Sequence, residues 1–457
     1  MTGFRRRGMR LPLIAAAALA SALVPAATAL AAPPLLRIGS DPFTNTTSQH
    51  RTEVEPDTFA FGSTIVAVSQ AGRFFSGGAS GNVWMTSTNA GASWSSGVLP
   101  GLTKFAGGTY DRASDPSIAF DARHGVWLAA SLALVESGGV RGVAVVVNRS
   151  TNGLTWSAPR TVATGTFLDK DWIVCDNHPT SFFYGRCYVQ FDDANAGDRL
   201  KMSTSADGGF TWGAAKNSGD SANGLGGQPV VQANGTVIVP YLSADETQIR
   251  SFRSVDGGAS WRVSVAVASA SDHPVAGGLR SEPLPSAEVD AAGKVYVAWQ
   301  SCRFRSSCSS NDIVISTTTQ STYPTWTAPA RVPIDSATSG ADHFIPGLAV
   351  NPSSSGSSAQ LALAYYYYPA ANCTSSTCQL DVGFVKSSNA GFTWSAPTQL
   401  AGPMSLGWLA STSQGRMVGD YVSTSFAGGT AHPVFALAGA PSGGFFNEAM
   451  FTTVSGL

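Results

Sequence analysis

Charge is scarce in this sequence of 457 residues: only 12% of its side chains are Asp, Glu, Lys or Arg, about half the usual share for a soluble domain. The 28 basic and 29 acidic residues nearly cancel and leave a formal net charge of -1 at pH 7. Without an excess of positive charge, the chain has no general electrostatic attraction to nucleic acid or to an anionic membrane. We therefore expect neither as a partner.

Long runs of helix-forming residues such as Glu, Lys and Leu are also missing, whereas glycine reaches 49 residues and Ser and Thr are plentiful. This composition is typical of many short strands joined by tight turns. A hydrophobic share of 43%, with 11 Trp, provides enough apolar side chains for a core and excludes wholesale disorder. The sequence therefore predicts a large all-β protein.

Several common catalytic and metal-binding motifs are absent. The chain has no GxSxG nucleophile elbow, no HExxH zinc helix, no phosphate-binding P-loop and no EF-hand loop, and its six His are scattered. We therefore predict no cofactor and no catalytic metal. A calcium ion held by acidic residues, with a purely structural role, is the alternative that stays open.

Only one stretch is apolar over a length that approaches a bilayer span. Four arginines between positions 5 and 10 precede the apolar residues 11–30, and a small-residue triplet ends at Ala31. This order is typical of a secretory signal peptide cleaved near Ala31, with an uncleaved anchor as the alternative. We predict a signal peptide over residues 1–31, a single domain over residues 32–457, and a secreted, extracellular protein with no membrane contact after cleavage.

The six cysteines lie in three close pairs: Cys175 with Cys187, Cys302 with Cys308, and Cys373 with Cys378. In an exported chain, an even number of clustered cysteines predicts short-loop disulfides. Zinc binding would need CxxC-type spacing or nearby His ligands, and neither is present. We expect the two later pairs to fix loops on the same face as the functional site.

An octapeptide of the form S-x-[DN]-x-G-x-[ST]-W occurs four times, at residues 87–94, 205–212, 254–261 and 387–394, and two imperfect copies end at Trp156 and Trp326. Its residue types predict a hairpin turn. The Asp or Asn side chain accepts backbone N–H bonds, glycine adopts a positive φ, and Trp leaves the turn to pack in the core.

The tryptophans that end these copies are about 60 residues apart, which is too long for one hairpin and suits a four-stranded antiparallel meander. About seven such units fit residues 32–457. We therefore predict a seven-bladed β-propeller of four-stranded antiparallel blades, with residues 35–38 supplying the outer strand of the last blade. A six-bladed propeller is the alternative.

The octapeptide is the Asp box, and its recurrence makes residues 50–457 resemble the sialidase-like, or BNR-repeat, superfamily of β-propellers. The resemblance implies that the boxes lie between the third and fourth strands, on the face opposite the ligand site. It also implies a site at the axial mouth of the propeller. Because the superfamily includes sialidases, other glycoside hydrolases, lectins and assembly factors, the resemblance leaves the activity open.

The resemblance also implies roles for polar residues that lie just before the innermost strands and in the loops between second and third strands. Sialidase chemistry uses a Tyr nucleophile activated by Glu, an Asp acid and three arginines for the substrate carboxylate. The candidate catalytic residues are Glu282, Tyr421 and Asp115. The candidate substrate-binding residues are Arg280, Arg303, Arg416, Arg112, Asp171 and His343.

Two parts of the sialidase pattern are missing from the sequence. Blade one lacks an Arg-Ile-Pro motif, and residues 69–81 contain no acidic side chain. The leading hypothesis is a secreted, monomeric glycoside hydrolase, similar to an exo-sialidase, that acts on a glycan or glycoconjugate. The alternative is a non-catalytic propeller that binds carbohydrate or protein.

Overall fold

Short antiparallel strands make up nearly all the regular structure of the computed structural model, which describes residues 1–2 and 32–457. Residues 3–31 of the predicted signal peptide lie outside the described residues. Helix within them is limited to 3-10 turns of three residues: Lys104–Ala106, Ala194–Ala196, Ala276–Gly278, Ser306–Cys308, Gly356–Ser358 and Leu406–Trp408. None of these could cross a membrane. The all-β prediction is confirmed.

The first half of the chain forms three four-stranded antiparallel units, after a short strand β1 (Leu35–Arg37). Unit 1 contains β2 (Gln49–Phe61), β3 (Thr64–Arg73), β4 (Ala79–Ser87) and β5 (Ser95–Val98). Unit 2 contains β6 (Arg112–Asp121), β7 (Val126–Val135), β8 (Arg141–Ser150) and the first part of the long strand β9 (Arg160–Cys175). Unit 3 contains the second part of β9, then β10 (Cys187–Asp193), β11 (Arg199–Ser205) and β12 (Lys216–Asn217).

The second half forms four more units and one separate hairpin. Unit 4 contains β13 (Gly224–Leu225), β14 (Val230–Val231), β15 (Val237–Ser243), β16 (Gln248–Ser254) and β17 (Val265–Ser269), and its first two strands share the innermost position. Unit 5 contains β18 (Ser286–Val289), β19 (Val295–Ser301), β20 (Asp312–Thr318) and β21 (Ala330–Arg331). Unit 6 contains β22 (Asp342–Val350), β23 (Leu361–Tyr368), β24 (Gln379–Ser387) and β25 (Thr398–Ser405).

The hairpin of β26 (Ala410–Thr412) and β27 (Gly415–Met417) leads into unit 7, which contains β28 (Ser423–Ala427), β29 (Thr430–Ala438) and β30 (Glu448–Thr453). The outer strand of this unit is β1, which pairs antiparallel with β30 from Leu35 opposite Thr453 to Arg37 opposite Phe451. The start of the domain therefore completes its last unit, as the sequence predicted. This pairing covers an edge of β30 that would otherwise be open.

The innermost strands are joined to one another by side-chain hydrogen bonds at one equivalent position in each unit. In five of the seven units a side chain there accepts a bond from a backbone N–H of the next unit, at 2.8 to 3.1 Å. The acceptor and donor pairs are Asp57 and Ile118, Ser117 and Ile173, Gln228 and Ala287, Ser286 and Leu348, and Ser423 and Thr58. Because the last pair joins unit 7 to unit 1, the bonds connect the units in a ring, the arrangement of a β-propeller.

Two junctions differ, and the sequence explains both. Unit 6 has Gly347 at the acceptor position, which has no side chain, and the hydroxyl of Thr424 instead donates to its carbonyl oxygen at 3.1 Å. Unit 3 has Trp172 there, whose indole cannot accept such a bond. The residue that would donate from unit 4 is Pro229, which has no N–H. The junction between units 3 and 4 therefore lacks the bond for two independent reasons.

The core lies between neighbouring units, where apolar side chains from one sheet pack on those of the next. Between units 2 and 3, for example, Leu128 and Val145 pack with Val189 and Phe191, all nearly inaccessible to solvent. Between units 5 and 6, Tyr296 packs with residues of β22 and β23 in the same way. The alternating pattern of each strand thus stabilises the ring as well as the single sheet.

The Asp boxes form the turns between third and fourth strands, as the resemblance implied. In the copy at residues 205–212, the Asp207 carboxylate accepts bonds from the backbone N–H groups of Phe210 and Thr211, both at 3.0 Å, and the Ser205 hydroxyl accepts one from Gly209 at 3.0 Å. In the copy at residues 387–394, the Trp394 indole donates to the Gly391 carbonyl at 3.0 Å. The box is therefore a self-contained hydrogen-bonded turn.

All three predicted disulfides are present, and this prediction is confirmed. Cys302–Cys308 closes the loop between β19 and β20, and Cys373–Cys378 closes the loop between β23 and β24. These are second-to-third-strand loops, on the face where the innermost strands begin. Cys175–Cys187 joins the end of β9 to the start of β10 on the opposite face.

The bonds between innermost strands should contribute measurably to stability. Ser286→Ala removes the acceptor of the buried Leu348 N–H, which should lower the free energy of unfolding by about 1–3 kcal/mol. Ser69→Ala is the matched control, because Ser69 is also buried but its hydroxyl has no hydrogen-bond partner among the described residues. Urea unfolding followed by tryptophan fluorescence measures both variants. Equal stability of the two variants would show that these bonds do not stabilise the ring.

Candidate functional site

The innermost strands of four units begin with a β-bulge whose central residue has a left-handed backbone. These residues are Glu55 (φ 56°), Asp115 (φ 44°), Lys170 (φ 40°) and Ile345 (φ 49°), and the strand register shifts beside each of them. None is glycine, so the conformation is strained and needs support from the surrounding structure. Bulges re-aim side chains next to functional sites. Here they bring charged groups of different units together on one face of the ring.

The centre of this charged group is Asp420, which is 3% exposed. Its carboxylate accepts a bond from the Lys170 ammonium at 2.6 Å and forms an ion pair with the Arg280 guanidinium. Burial alone would raise the pKa of Asp420, but Arg280 and Lys170 outweigh it and hold that pKa below its ordinary value. One carboxylate from unit 7 therefore binds two cations, which lie just before the innermost strands of units 3 and 5.

Glu55 lies beside Asp420 and accepts a bond from its backbone N–H at 3.2 Å. The Gln70 amide also donates to Glu55, and the Arg73 guanidinium donates to Gln70 at 2.8 Å. Burial, followed by the negative charges of Asp420 and Asp115, raises the pKa of Glu55 to about 8. Glu55 is therefore mostly protonated at neutral pH.

The mouth is the cavity next to this group, lined by Asp115, Asp171, Trp172, Tyr421, Lys170 and Asp420 together with apolar residues, glycines, Gln228 and Ser286 of units 4 to 7. Asp171 is 2% exposed, and neither of its oxygens has a hydrogen-bond partner among the described residues. Burial, and then the nearby Asp115 charge, raise the pKa of Asp171 well above its usual range. Burial therefore favours the neutral form of this carboxyl beside the cavity.

Two aromatic residues of the mouth lie in contact. Trp172 and Tyr421 pack edge to face with ring centroids 5.0 Å apart. Asp115, which also lines the cavity, accepts a bond of 2.5 Å from the Ser114 hydroxyl. The mouth thus combines two acidic side chains in different surroundings with an aromatic wall.

Of the predicted catalytic residues, Asp115 and Tyr421 line the mouth, but the predicted contact of Tyr421 with Glu282 is corrected by the structure. Within the described residues, the Tyr421 hydroxyl hydrogen-bonds only to the Pro116 carbonyl, at 3.0 Å. Glu282 instead lies near Lys170 and Asp420, and burial raises its pKa. The reason is positional, since Tyr421 faces units 2 and 3 whereas Glu282 precedes the innermost strand of unit 5.

The three arginines expected to bind an acidic sugar do not converge. Arg280 is in the charged group and is paired with Asp420. The Arg416 backbone contacts that of Arg280, but its guanidinium turns away and donates to the Leu409 carbonyl at 2.8 Å. Arg303 is exposed in the loop closed by Cys302–Cys308. The expected cluster of three arginines is therefore not formed, because each guanidinium has a different set of neighbours.

Arg112 and His343, also predicted to bind substrate, have structural contacts instead. Arg112 donates to Glu136 at 2.8 Å and to the Gly77 carbonyl at 2.6 Å. His343 is 2% exposed and packs against Tyr365 and Tyr367, and burial lowers its pKa. Of the predicted binding residues, only Asp171 lines the mouth and only Arg280 adjoins it.

One group of side chains in the described residues has the spacing of metal ligands: atoms of Asp312, Asp335 and His343 lie within 4.8 Å of one another. The Arg305 guanidinium, however, lies 2.5 Å from Asp312 and 2.8 Å from Asp335. Arg331 also contacts Asp312, at 2.8 Å. Two arginines therefore already neutralise these carboxylates, and the group is a salt-bridge network.

Lys170, Asp420 and Glu55 lie in polar segments just before innermost strands, but the sequence assigns none of them an individual role. A signal for Glu55 was present, because proline follows both Glu55 and Asp115 just before an innermost strand. When the seven innermost strands are aligned on Glu55 and Asp115, Lys170 lies at the equivalent position in unit 3. Asp420 has no such signal, since its role depends on partners 250 and 140 residues away along the chain.

Beyond the mouth, a second cavity of about 470 Å³ follows the ring axis toward the Asp-box face. It is lined mainly by the innermost strands and contains the carboxyl groups of Asp57 and Glu288. Burial raises the pKa of Asp57 to about 7 and, together with the charge of Asp57, that of Glu288 to about 8. Trp172 and Gln228 border both cavities.

Comparison with known proteins supports the fold. Residues 135–349 match the family model described as BNR repeat-like domain. No curated protein sequence is a significant match. Similar solved structures include an ulvan lyase described as a new family of polysaccharide lyase, which is 10% identical, with a TM-score of 0.52 over 92% of this chain and 96% of that one.

Two further similar structures have lower TM-scores. A protein of unknown function from Dyadobacter fermentans is 15% identical, with a TM-score of 0.48 over 78% of this chain and 99% of that one. A sialidase from Trypanosoma rangeli in complex with the inhibitor DANA is 11% identical, with a TM-score of 0.46 over 92% of this chain and 59% of that one. At these identities the likeness concerns the fold alone.

The buried carboxyl groups predict that the protein becomes less stable as the pH rises. Glu53 and Glu55 have folded pKa values of about 8, raised by burial from 4.5. Between pH 4.5 and about pH 8 the native state therefore binds more protons than the unfolded state. The free energy of unfolding consequently decreases as the pH rises through this range. His343 and His432, whose pKa values burial lowers from 6.5, act in the opposite sense but only below about pH 6.5.

We therefore expect the melting temperature to fall between pH 6.5 and pH 8, measured by differential scanning calorimetry. Glu55→Gln should flatten this dependence, because the substituted side chain no longer releases a proton. Glu246→Gln, at an exposed glutamate, is the control and should leave the slope unchanged. A melting temperature that rises over this range would contradict the assignment of raised pKa values.

Proposed function

Because residues 135–349 match a BNR repeat-like domain and residues 50–457 resemble the sialidase-like superfamily, we propose that the protein is a secreted glycoside hydrolase acting at the mouth. One observation carries the proposal: Asp171 and Asp115 line the same cavity, and their carboxyl groups have different surroundings. Glycosidases of most families need such a pair, one carboxyl protonated and the other ionised.

Asp171 suits the role of the general acid. Its carboxyl is desolvated, and burial outweighs the nearby Ser117 hydroxyl, which acts to lower its pKa. Because burial raises the pKa of Asp171, it favours the protonated form, whose proton is available to the oxygen of a leaving group.

Asp115 suits the complementary role of base or nucleophile. The Ser114 hydroxyl donates to it, which stabilises its charge. The left-handed backbone at Asp115 fixes the direction of this side chain relative to the cavity. The rings of Trp172 and Tyr421 supply an apolar surface on which the face of a sugar ring can stack.

Secretion is the second part of the proposal. The three disulfides suit an oxidising compartment, and a signal peptide is predicted over residues 1–31. The disulfides Cys302–Cys308 and Cys373–Cys378 fix loops on the face of the mouth, where rigidity favours a preorganised site.

A non-catalytic glycan-binding propeller is the second candidate, and it has its own support. The Tyr421 hydroxyl is bonded to the Pro116 carbonyl, and Asp420 is fully engaged with internal cations. Neither group is therefore free to act as a nucleophile. In this case the mouth binds a sugar without cleaving it.

The two candidates differ in turnover of glycosides. A panel of 4-methylumbelliferyl glycosides identifies the activity, and Asp171→Asn and Asp115→Asn should then each lower kcat by at least about a hundredfold. Asp193→Asn is the matched control, because Asp193 follows the buried part of β10 on the same face but does not line the mouth. It should keep kcat within about twofold, and all three variants should keep the melting temperature nearly unchanged.

Turnover that survives in Asp171→Asn would remove this residue from the mechanism. If no glycoside in the panel is cleaved but oligosaccharides bind in a way that depends on Asp171, the protein is the non-catalytic propeller of the second candidate.

A further inference from the structure

The cations near the mouth are already paired within the protein. Lys170 is the only basic residue among those that line the cavity, and its ammonium lies 2.6 Å from Asp420. Arg280, next to the cavity, forms an ion pair with the same carboxylate. Both cations are largely buried, with 13% and 15% of their side chains exposed, so their partner is the internal carboxylate rather than solvent ions.

The remaining arginines of this face do not reach the cavity. Arg73 is 3% exposed and is bonded to Gln70, which separates it from Glu55. The Arg416 guanidinium donates to the Leu409 carbonyl, and Arg303 lies in an exposed loop. Among the described residues, no unpaired cation therefore faces the mouth.

Carboxyl groups, in contrast, surround the mouth. Asp115, Asp171 and Asp420 line the cavity, and Glu55 and Glu282 lie just behind it. A ligand carboxylate placed there would lose its hydration and would have to compete with Asp420 for Lys170 and Arg280. A neutral sugar carries no charge whose hydration would be lost on binding, and its hydroxyl groups can donate to the carboxylate oxygens.

We propose that the mouth selects uncharged sugar residues over sugars that carry a carboxylate, and that Asp420 is the residue that determines this specificity by holding Lys170 and Arg280. This inference rests on the proposed function, because it specifies the substrate class of the same site. It departs from the arginine clamp for an acidic sugar that the sequence predicted.

One substitution should affect acidic and neutral sugars differently. Asp420→Asn keeps the size of the side chain but removes the charge that binds both cations. Lys170 and Arg280 then lose the carboxylate with which both form an ion pair and become available to a ligand carboxylate. The variant should therefore gain affinity for acidic sugars, whereas loss of a merely structural ion pair would weaken all ligands alike.

The test compares ligands that differ in one carboxylate: methyl glucoside with methyl glucuronide, methyl galactoside with methyl galacturonide, and lactose with 3′-sialyllactose. Dissociation constants come from isothermal titration calorimetry or, for weak ligands, from saturation-transfer NMR. For the native protein we expect at least one neutral member to bind about tenfold or more tightly than its acidic partner.

In Asp420→Asn this preference should fall by at least about tenfold, through stronger binding of the acidic member. Asp193→Asn is the matched control, since it removes one carboxylate from the same face but releases neither Lys170 nor Arg280. Its preference should equal that of the native protein. Melting temperature and near-ultraviolet circular dichroism verify that each variant is folded.

An acidic sugar that binds the native protein as tightly as its neutral partner, or more tightly, overturns the specificity while leaving a glycan-active site intact. An unchanged preference in folded Asp420→Asn removes Asp420 as its cause. If Asp420→Asn does not fold, the native ligand pairs still decide the specificity. Failure of every glycan to bind the native protein would instead overturn the proposed function itself.

Discussion

A strand at the centre of the ring has one edge without a sheet partner, and an unpaired buried N–H at that edge is costly. The hydrogen bonds between innermost strands remove this cost. A side chain of one unit accepts the backbone N–H of the next, from Asp57 and Ile118 around to Ser423 and Thr58. The same bonds fix the position of each unit relative to its neighbour.

The candidate site depends on this alignment. The bulge residues Glu55, Asp115, Lys170 and Ile345 each lie two positions before the residue at the junction, so the ring that aligns the junctions also aligns the bulges. Asp420 then binds Lys170 and Arg280, which joins units 3, 5 and 7 across the axis. The hydrogen bonds that stabilise the ring therefore also determine where the charged groups lie.

The sequence predicted features that are local or repeated. The Asp boxes, the disulfides and the pairing of β1 with β30 follow from short patterns or from a strand missing in a repeat. Partners across the axis could not be predicted in this way. Nothing near Tyr421 shows that its hydroxyl bonds to Pro116 rather than Glu282, and nothing near Arg280 shows that Asp420 neutralises it. Such choices depend on side-chain directions that arise only when distant units meet.

The junction between units 3 and 4 differs from the others, because Trp172 and Pro229 cannot form the hydrogen bond that joins the innermost strands elsewhere. Units 2 and 3 share the continuous strand β9 and must move together, and the other junctions have their connecting bond. Here units 3 and 4 are joined instead by other contacts, among them the bonds from the Gly226 N–H to Asp192 at 3.3 Å and from the Arg186 guanidinium to the Gly257 carbonyl at 2.6 Å. Since Trp172 borders both the mouth and the axial cavity, the position of its indole determines how far the two cavities are separated at this junction.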